Sequence, residues 1–510
     1  MAYLIGVDIG TSSTKTVIFD HSGNSVVSAA REYPLYQPRN GWAEQDPLDW
    51  WNAVCETINE CLVKGGINPE DIDGVGLSGQ MHGLVMLDAG GEVLGRSIIW
   101  CDQRTAAECE EITQKVGPRR LIEITANPAL TGFTASKILW VRNNQPDIYE
   151  KCRKMLLPKD YIRYMLTGEF ATEVSDASGM QLLDVPGRKW SDEVLGALEI
   201  DRSMLAEVYE SPVISGKISA SAAAKCGLKA GTPVAGGAGD NAAGAIGNGI
   251  ISEGMAFSTI GTSGVIFAHT DRPDIDPRGR VHTFCHAVPG KWHVMGVTQA
   301  AGLSLKWFRD NFCLGEMETA ARMGVDPYVL MDKEVERVPY GSNGIIYLPY
   351  LMGERTPHLD PDCRGVFFGL SGSHTKQDMM RAVMEGVGFS LKDCVNIIRS
   401  MGISIDEIKA SGGGGRSAFW RQMQADMFGC DVLINASQDA PSLGVALLAG
   451  VGAGVYKDIN EACGRAVRAR DGCSPNPAAS EIYGRYYKLY TGLYHSLKDD
   501  FKDLAALVKE

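Results

Sequence analysis

Apolar residues along this chain keep two rhythms that alternate from one end to the other. Short β-prone runs give way to longer stretches with a period near 3.6, and then return. The first run, Leu4-Ile5-Gly6-Val7-Asp8, stops at Ile9-Gly10-Thr11-Ser12, and a second run ends at Val17-Ile18-Phe19. Two such runs joined by a glycine-containing turn predict a hairpin. The phrase returns half a chain later as Ile260-Gly261-Thr262-Ser263, between Met255-Ala256-Phe257-Ser258-Thr259 and Val265-Ile266-Phe267. A repeated turn in a repeated context predicts a duplicated device. Glycine lets backbone N–H groups converge on an oxyanion, and the flanking hydroxyls suit the same ligand.

Between the two hairpins the pattern predicts a helix over 48–64 after Asp46-Pro47, and a strand over 72–77 that delivers Ser78-Gly79-Gln80-Met81-His82-Gly83. A strand over 97–100 leads into Cys101-Asp102-Gln103-Arg104, whose two charges could pair with each other or cap a helix. Helices open near Gly132 and Leu156, and a short one covers 219–225 with Gly227 as its stop. Pro233-Val234-Ala235 is a strand, Gly236-Gly237-Ala238-Gly239 a turn, and Asp240-Asn241 starts a helix of small residues. Past the second hairpin, strands are expected over 281–286 and 345–350, and a helix over 379–401. A strand ending at Ser411 then enters Gly412-Gly413-Gly414-Gly415-Arg416-Ser417 before a further helix. Strands and helices in this alternation describe an α/β protein.

The chain has 510 residues, more than one core supports, so two large domains are expected, 1–250 and 251–510. Hydrophobic residues at 45% fit an ordinary globular protein, and the net charge of −13 disfavours nucleic acid or an anionic membrane as the main partner. The 13 cysteines are scattered without a Cys-x-x-Cys pair, which argues for a reducing cytoplasm and against a disulfide framework. The N-terminus, beginning Met1-Ala2-Tyr3-Leu4, has no basic and apolar leader. The most membrane-like stretch, 444–455, is too short to span a bilayer.

Asp240 can serve as a helix N-cap, and the positive end of the helix would keep its carboxylate ionised, as a general base must be. His82 lies in a glycine-bracketed loop at a strand end, where α/β proteins place ligand contacts, although a lone histidine is more often structural. Four glycines between a strand and a helix offer bare backbone to a flat ligand such as a nucleotide. Four other motifs fail. Gly74-x-Gly76-x-x-Gly79 lies inside a strand rather than before a helix. His282 and His286 would stand about 13 Å apart on a strand, too far for one metal ion. Neither a P-loop nor a Gly-x-Ser-x-Gly elbow is present.

Asp8-Ile9-Gly10-Thr11-Ser12, Gly261-Thr262-Ser263 and Gly413-Gly414-Gly415 together resemble the actin, sugar-kinase and Hsp70 ATPase superfamily. Within it the chain resembles the FGGY family of carbohydrate kinases over nearly its whole length. Two long patterns carry this, Gly132-x-Thr134-x-x-Lys137-Ile138-x-Trp140, and Gly365-x-Phe367-x-Gly369-Leu370 continued by Ala382-Val383-Met384-Glu385. Gly79-Gln80-Met81-His82-Gly83, Leu157-Pro158-Lys159-Asp160-Tyr161, Gly239-Asp240-Asn241 and Phe284-Cys285-His286 look like the branch that phosphorylates D-xylulose at O5, with gluconate kinases similar to it. The resemblance implies two ribonuclease H-like, actin-like domains flanking a cleft that closes on its substrates. It implies ATP and Mg2+, with no nucleic acid or membrane partner, and allows a homodimer.

The roles so implied are Asp240 as general base, and Met81, His82 and Asn241 as sugar contacts. Asp8 would hold the metal, Gly10, Thr11, Ser12, Gly261 and Thr262 the phosphates, and Gly413 and Gly414 the adenosine. A chaperone or filament ATPase with the same core is the rival class. The polar helical sequence over 483–509 does not resemble a β-rich peptide-binding region.

Overall fold

A computed structural model describes residues 2–437 and 439–509, so Met1 lies outside the described residues. In chain order, the elements that carry the site begin with β1 (Tyr3–Ile9), β2 (Ser13–Asp20), β3 (Ser25–Glu32), α1 (Pro47–Gly65), β4 (Ile72–Gly79), α2 (Thr134–Asn144) and α3 (Pro158–Thr167). Next come β5 (Ile214–Lys217), β6 (Pro233–Ala235), β7 (Ala238–Gly239), α4 (Asp240–Asn248), β8 (Gly254–Ile260) and β9 (Gly264–Thr270). The remainder are β10 (Trp292–Thr298), α5 (Gly302–Phe312), α6 (Lys376–Ser400), β11 (Ile405–Ser411), α7 (Ala418–Phe428), β12 (Asp431–Asn435), α8 (Ala440–Gly452), β13 (Ala469–Cys473) and α9 (Pro477–Lys509).

These elements form two compact units. One contains residues 1–252, 269–293 and 437–468, the other 253–268, 294–436 and 469–510. Relative to the expected halves, 1–250 and 251–510, two later segments therefore pack with the first unit.

In the first unit the sheet runs β5-β6-β4-β1-β2-β3, with β7 also on β4. The predicted hairpin is antiparallel, Asp8 opposite Lys15, whereas β1 and β4 are parallel, Asp8 beside Ser78 and Ile9 beside Gly79. β7 is parallel to β4 at the same level, Ala238 beside Ser78 and Gly239 beside Gly79. Three strands thus end together, and the chain leaves each one at a candidate residue. Helix α1 begins where predicted, with the Asp46 side chain accepting from Leu48 N, and buries Trp50, Trp51, Val54 and Ile58 against the sheet. Each such side chain contributes about 1.5–3 kcal/mol.

Helix α8 explains the discarded glycine fingerprint. It lies so close to the sheet that a Cβ on Gly6 would sit 1.9 Å from Ser442 O, and one on Gly76 1.9 Å from Val445 O. The glycines therefore admit a helix rather than a dinucleotide. The same α8 contains most of the membrane-like stretch, and its run from Ser442 to Gly450 is buried. Among the described residues no helix is long and apolar enough to cross a membrane. The strand expected over 97–100 is shorter, Ser97–Ile98.

The second unit repeats the scheme. β8 and β9 form an antiparallel hairpin, and β8 is parallel to β11, with Thr259 beside Ser411 and a bridge from Ile260 to Gly412. The order β10-β9-β8-β11-β12-β13 continues outward from there. Helix α6 spans the predicted stretch and opens with a capping box between Thr375 and Asp378.

Candidate active site

The strand ends of the first unit bring Asp8, Gly10, Thr11, Ser12, Met81, His82, Asp240 and Asn241 to one edge of the sheet, the usual ligand edge of an α/β protein. The first turn closes with Gly10 N donating to Ser13 O at 3.0 Å. Its carbonyls are held from behind. Tyr33 OH donates to Gly10 O, Gln45 Nε2 donates to Thr11 O at 2.6 Å, and Trp100 Nε1 donates to Thr11 Oγ1 at 2.9 Å.

Asp240 is the first residue of α4 and Gly239 is its N-cap, so the expected capping role is not what the carboxylate does. Its Oδ1 accepts from Asn241 N at 2.7 Å and from Asn241 Nδ2 at 2.9 Å. Its Oδ2 accepts no hydrogen bond from the described residues. The expected ionisation also needs correction. Burial, and then the charge of Asp8, push this carboxyl up to about 7, and the two bonds from Asn241 only partly oppose them. The residue keeps part of its surface open to solvent, yet the desolvation from the protein packed around it outweighs the helix end. Asp8 is likewise raised by burial, against a 2.7 Å hydrogen bond from Ser78 Oγ and the charge of Lys15. Lys15 itself pairs with Asp439.

His82 takes a left-handed backbone, φ 70°, that a non-glycine residue adopts at some cost. Its carbonyl accepts from Thr134 Oγ1 at 3.1 Å and from Lys137 Nζ at 2.9 Å, which puts two residues of the Gly132-x-Thr134-x-x-Lys137 pattern to work. Lys137 is fully buried, and burial lowers its ammonium to about 7. The imidazole packs on Phe133 at 4.8 Å, and Nδ1 lies 2.9 Å from Gly179 O. A carbonyl only accepts, so Nδ1 carries the hydrogen, and in the neutral ring Nε2 is the acceptor. Met81 packs against Gly239, where an added Cβ would stand 2.9 Å from its Cγ.

The other charged loop is structural. Asp102 accepts from Arg104 Nε and Nη2 and from Ala43 N, all within buried surroundings. His282 Nδ1 is 2.8 Å from Asn127 Oδ1, and His286 packs against His269 and His293.

In the second unit, the turn at Gly261-Thr262-Ser263 is docked on the start of α5. Gly302 N donates to Gly261 O at 2.8 Å and Ala301 N to Thr262 O at 3.0 Å. Gly261, Thr262, Gly413 and Gly414 all line one cavity of about 580 Å3. Leu303, Phe419 and Trp420 give that cavity apolar walls, and Lys306, Lys333 and Arg416 give it cations. Its size, its glycines and its mixed lining, which also includes Asp326, Asp332 and Glu336, suit a nucleotide. The residues between 303 and 336, and the aromatic pair after the glycines, were not legible as site residues. They come from elements whose periodicity announces only helix.

Comparison with known proteins follows the same outline. Residues 3–247 match the FGGY family of carbohydrate kinases, N-terminal domain, and residues 256–453 match its C-terminal domain. The chain is 38% identical over 499 residues to the xylulose kinase of Bacillus subtilis, covering 98% of each protein. It is 35% identical over 450 residues to the gluconokinase of the same organism, covering 88% of this chain and 87% of that one. The crystal structure of ligand-bound xylulose kinase from Lactobacillus acidophilus superposes with a TM-score of 0.91 at 29% identity, covering 99% of this chain and all of the other. Two actin-like α/β domains with these loops at their strand ends follow from that likeness, and the chain belongs to the FGGY family of carbohydrate kinases.

Proposed function

We propose that this enzyme transfers the γ-phosphoryl group of ATP to O5 of D-xylulose, giving D-xylulose 5-phosphate and ADP. The observation that carries the chemistry is the Asp240 carboxylate, with Oδ1 fixed by Asn241 and Oδ2 left for a ligand at the same sheet edge as His82. Oδ2 accepts the proton of the sugar hydroxyl as O5 attacks phosphorus, and a group titrating near neutrality is well matched to that task. His82 Nε2 accepts from a second hydroxyl, and Met81 and Asn241 complete the sugar contacts. Gly10-Thr11-Ser12 and Gly261-Thr262 hold the β- and γ-phosphates through backbone N–H and hydroxyl donors. Gly413 and Gly414 form the floor for adenosine.

Asp8 fits Mg2+. Its Oδ1 is engaged by Ser78, Oδ2 accepts nothing from the described residues, and one carboxylate together with phosphates and water is the usual magnesium environment. Held by Asp8, the ion would supply positive charge against the charge of the transferring phosphates. The scattered cysteines, without a Cys-x-x-Cys pair, support a reducing cytoplasm as the compartment.

The sugar is chosen over gluconate because the curated relatives at 36–38% identity over nearly the full chain are xylulose kinases. ADP release measured across D-xylulose, D-ribulose, L-ribulose, gluconate and glycerol tests it. The highest kcat/KM is expected for D-xylulose. A higher value for gluconate would overturn the sugar while leaving the kinase chemistry, and no sugar-dependent ADP release would overturn both.

A further inference from the structure

The turn that presents Asp240 is made of Gly236, Gly237, Ala238 and Gly239, and glycines have no side chains with which to hold a conformation. Something outside the turn must therefore fix it. Gly239 N donates to Ser175 Oγ at 3.1 Å, and Gly237 N donates to Ser211 O at 3.1 Å. Both serines end on one carboxylate. Ser175 Oγ donates to Glu173 Oε1 at 2.8 Å, and Ser211 Oγ donates to Glu173 Oε2 at 2.7 Å. Each hydroxyl has one proton, which goes to Glu173. A lone pair of Ser175 Oγ is then correctly aimed at Gly239 N.

Glu173 also caps the next helical turn, accepting from Ser175 N and Asp176 N at 2.8 Å each. That turn leads to Gly179, whose carbonyl orients His82, and an added Cβ there would lie 2.4 Å from the His82 ring. Lys159 closes the arrangement. Its Nζ is 2.7 Å from Asp160 Oδ1, 3.6 Å from Asp176 Oδ2 and 3.8 Å from Glu173 Oε1, and it donates to Gly236 O at 3.3 Å. Lys159, Asp160, Glu173 and Asp176 are all at most 1% exposed. Burying four ionisable groups is costly, and packed apolar residues would stabilise a fold at least as well. The lines of bonds lead instead to the turn before the base and to the carbonyl behind the sugar-contact histidine.

We propose that Glu173 is a positioning residue that sets the Asp240 carboxylate and the His82 ring at once, through Ser175, Ser211 and the 174–179 turn, with Lys159 as its buried counter-ion. The inference rests on the reading of Asp240 as the base. Displacement of a reacting group by about 1 Å is worth about 100-fold in rate. Ser175→Ala, which removes one hydroxyl, is therefore expected to lower kcat by roughly 10- to 100-fold while KM for ATP stays within about 2-fold. Glu173→Gln keeps one acceptor oxygen and is expected to lose less than Glu173→Ala.

Steady-state kinetics with both substrates, together with thermal melting, tests this on the full-length enzyme, with Asp240→Asn run in parallel. Near-wild-type turnover by Asp240→Asn would remove the base reading itself. An Asp240→Asn slowed by about 100-fold or more, alongside wild-type kcat in folded Ser175→Ala and Glu173→Gln, would overturn the positioning role alone. Losses that fall equally on ATP and sugar parameters, or vanish once the variants are assayed well below their melting temperatures, would reduce the network to a purely structural one and overturn it as well.

Discussion

The carboxylate of Asp240 is held where it does not ionise easily, and that tension has two measurable consequences. Its ordinary value is 3.8 and the folded value is about 7, so the folded state binds this proton more tightly than the unfolded chain. Stability from this group is complete below about pH 4 and is lost as pH rises through 7. Asp240→Asn should therefore melt above the wild type at pH 8, by about 1 kcal/mol or more, with the gap closing toward pH 5. The same variant should lose on the order of 10²–10⁴ in kcat while ATP still raises its melting temperature. Calorimetry at the two pH values and single-substrate titrations check both halves. His82→Ala should raise KM for the sugar far more than KM for ATP, because its ring belongs to the sheet edge of Asp240 rather than to the nucleotide cavity. Equal effects on the two would put His82 outside the sugar pocket. Asp8, His82 and Asp240 could be picked out in the sequence because each lies at, or within three residues of, the end of a strand. Ser175 and Lys137 could not, since their work is done on backbone atoms of distant segments, nor could Glu173, which meets Ser211 only in the fold.

Helix α8 shows how an element can be misread from its composition. Its small apolar residues give a membrane-like run, yet they are small because other backbone lies against them. A Cβ on Gly444 would stand 1.9 Å from Ala243 O in α4, and one on Gly247 would stand 1.9 Å from Ala440 O. Two helices approach this closely only with glycine at the crossing. Gly444→Val should cost about 3 kcal/mol or more, read as a lowered urea midpoint. Gly464→Ala in the helix Ile459–Ala466, where an added Cβ meets open space, should be neutral or stabilising by about 0.5–1 kcal/mol. A similar drop in both variants would show that glycine is not placed there for contact. The two hairpin turns were legible because the duplicated phrase sits at the same place in two similar sheets. The cavity walls around Gly413 were not, because Lys333, Phe419 and Trp420 lie on helices whose sequence reports a buried face and a wet face, not a ligand.

Across the whole molecule, buried histidines and buried carboxyls bias stability in opposite directions with pH. His286 and His293 are fully enclosed, and burial together with the neighbouring His269 depresses both, His293 to about 3. A histidine depressed in the fold contributes stability above its unfolded value of 6.5 and loses it as pH falls toward the folded value. Burial pulls the Asp240, Glu354 and Asp393 carboxyls the opposite way, so this pair is read by difference: from pH 7 to pH 5 the melting temperature of His286→Gln should gain on that of the wild type. An unchanged slope would place the acid sensitivity elsewhere. The sequence by itself determined the alternation of strands and helices, the duplicated turn and the family, because these are written in local periodicity and in contiguous motifs. Tertiary structure alone decided three other things. It joined residues 269–293 and 437–468 to the first unit, turned a false dinucleotide fingerprint into a helix seat, and raised the proton affinity of Asp240 against its helix end. Each depends on which atoms from remote parts of the chain exclude water from a given group, and no local pattern of residues encodes that.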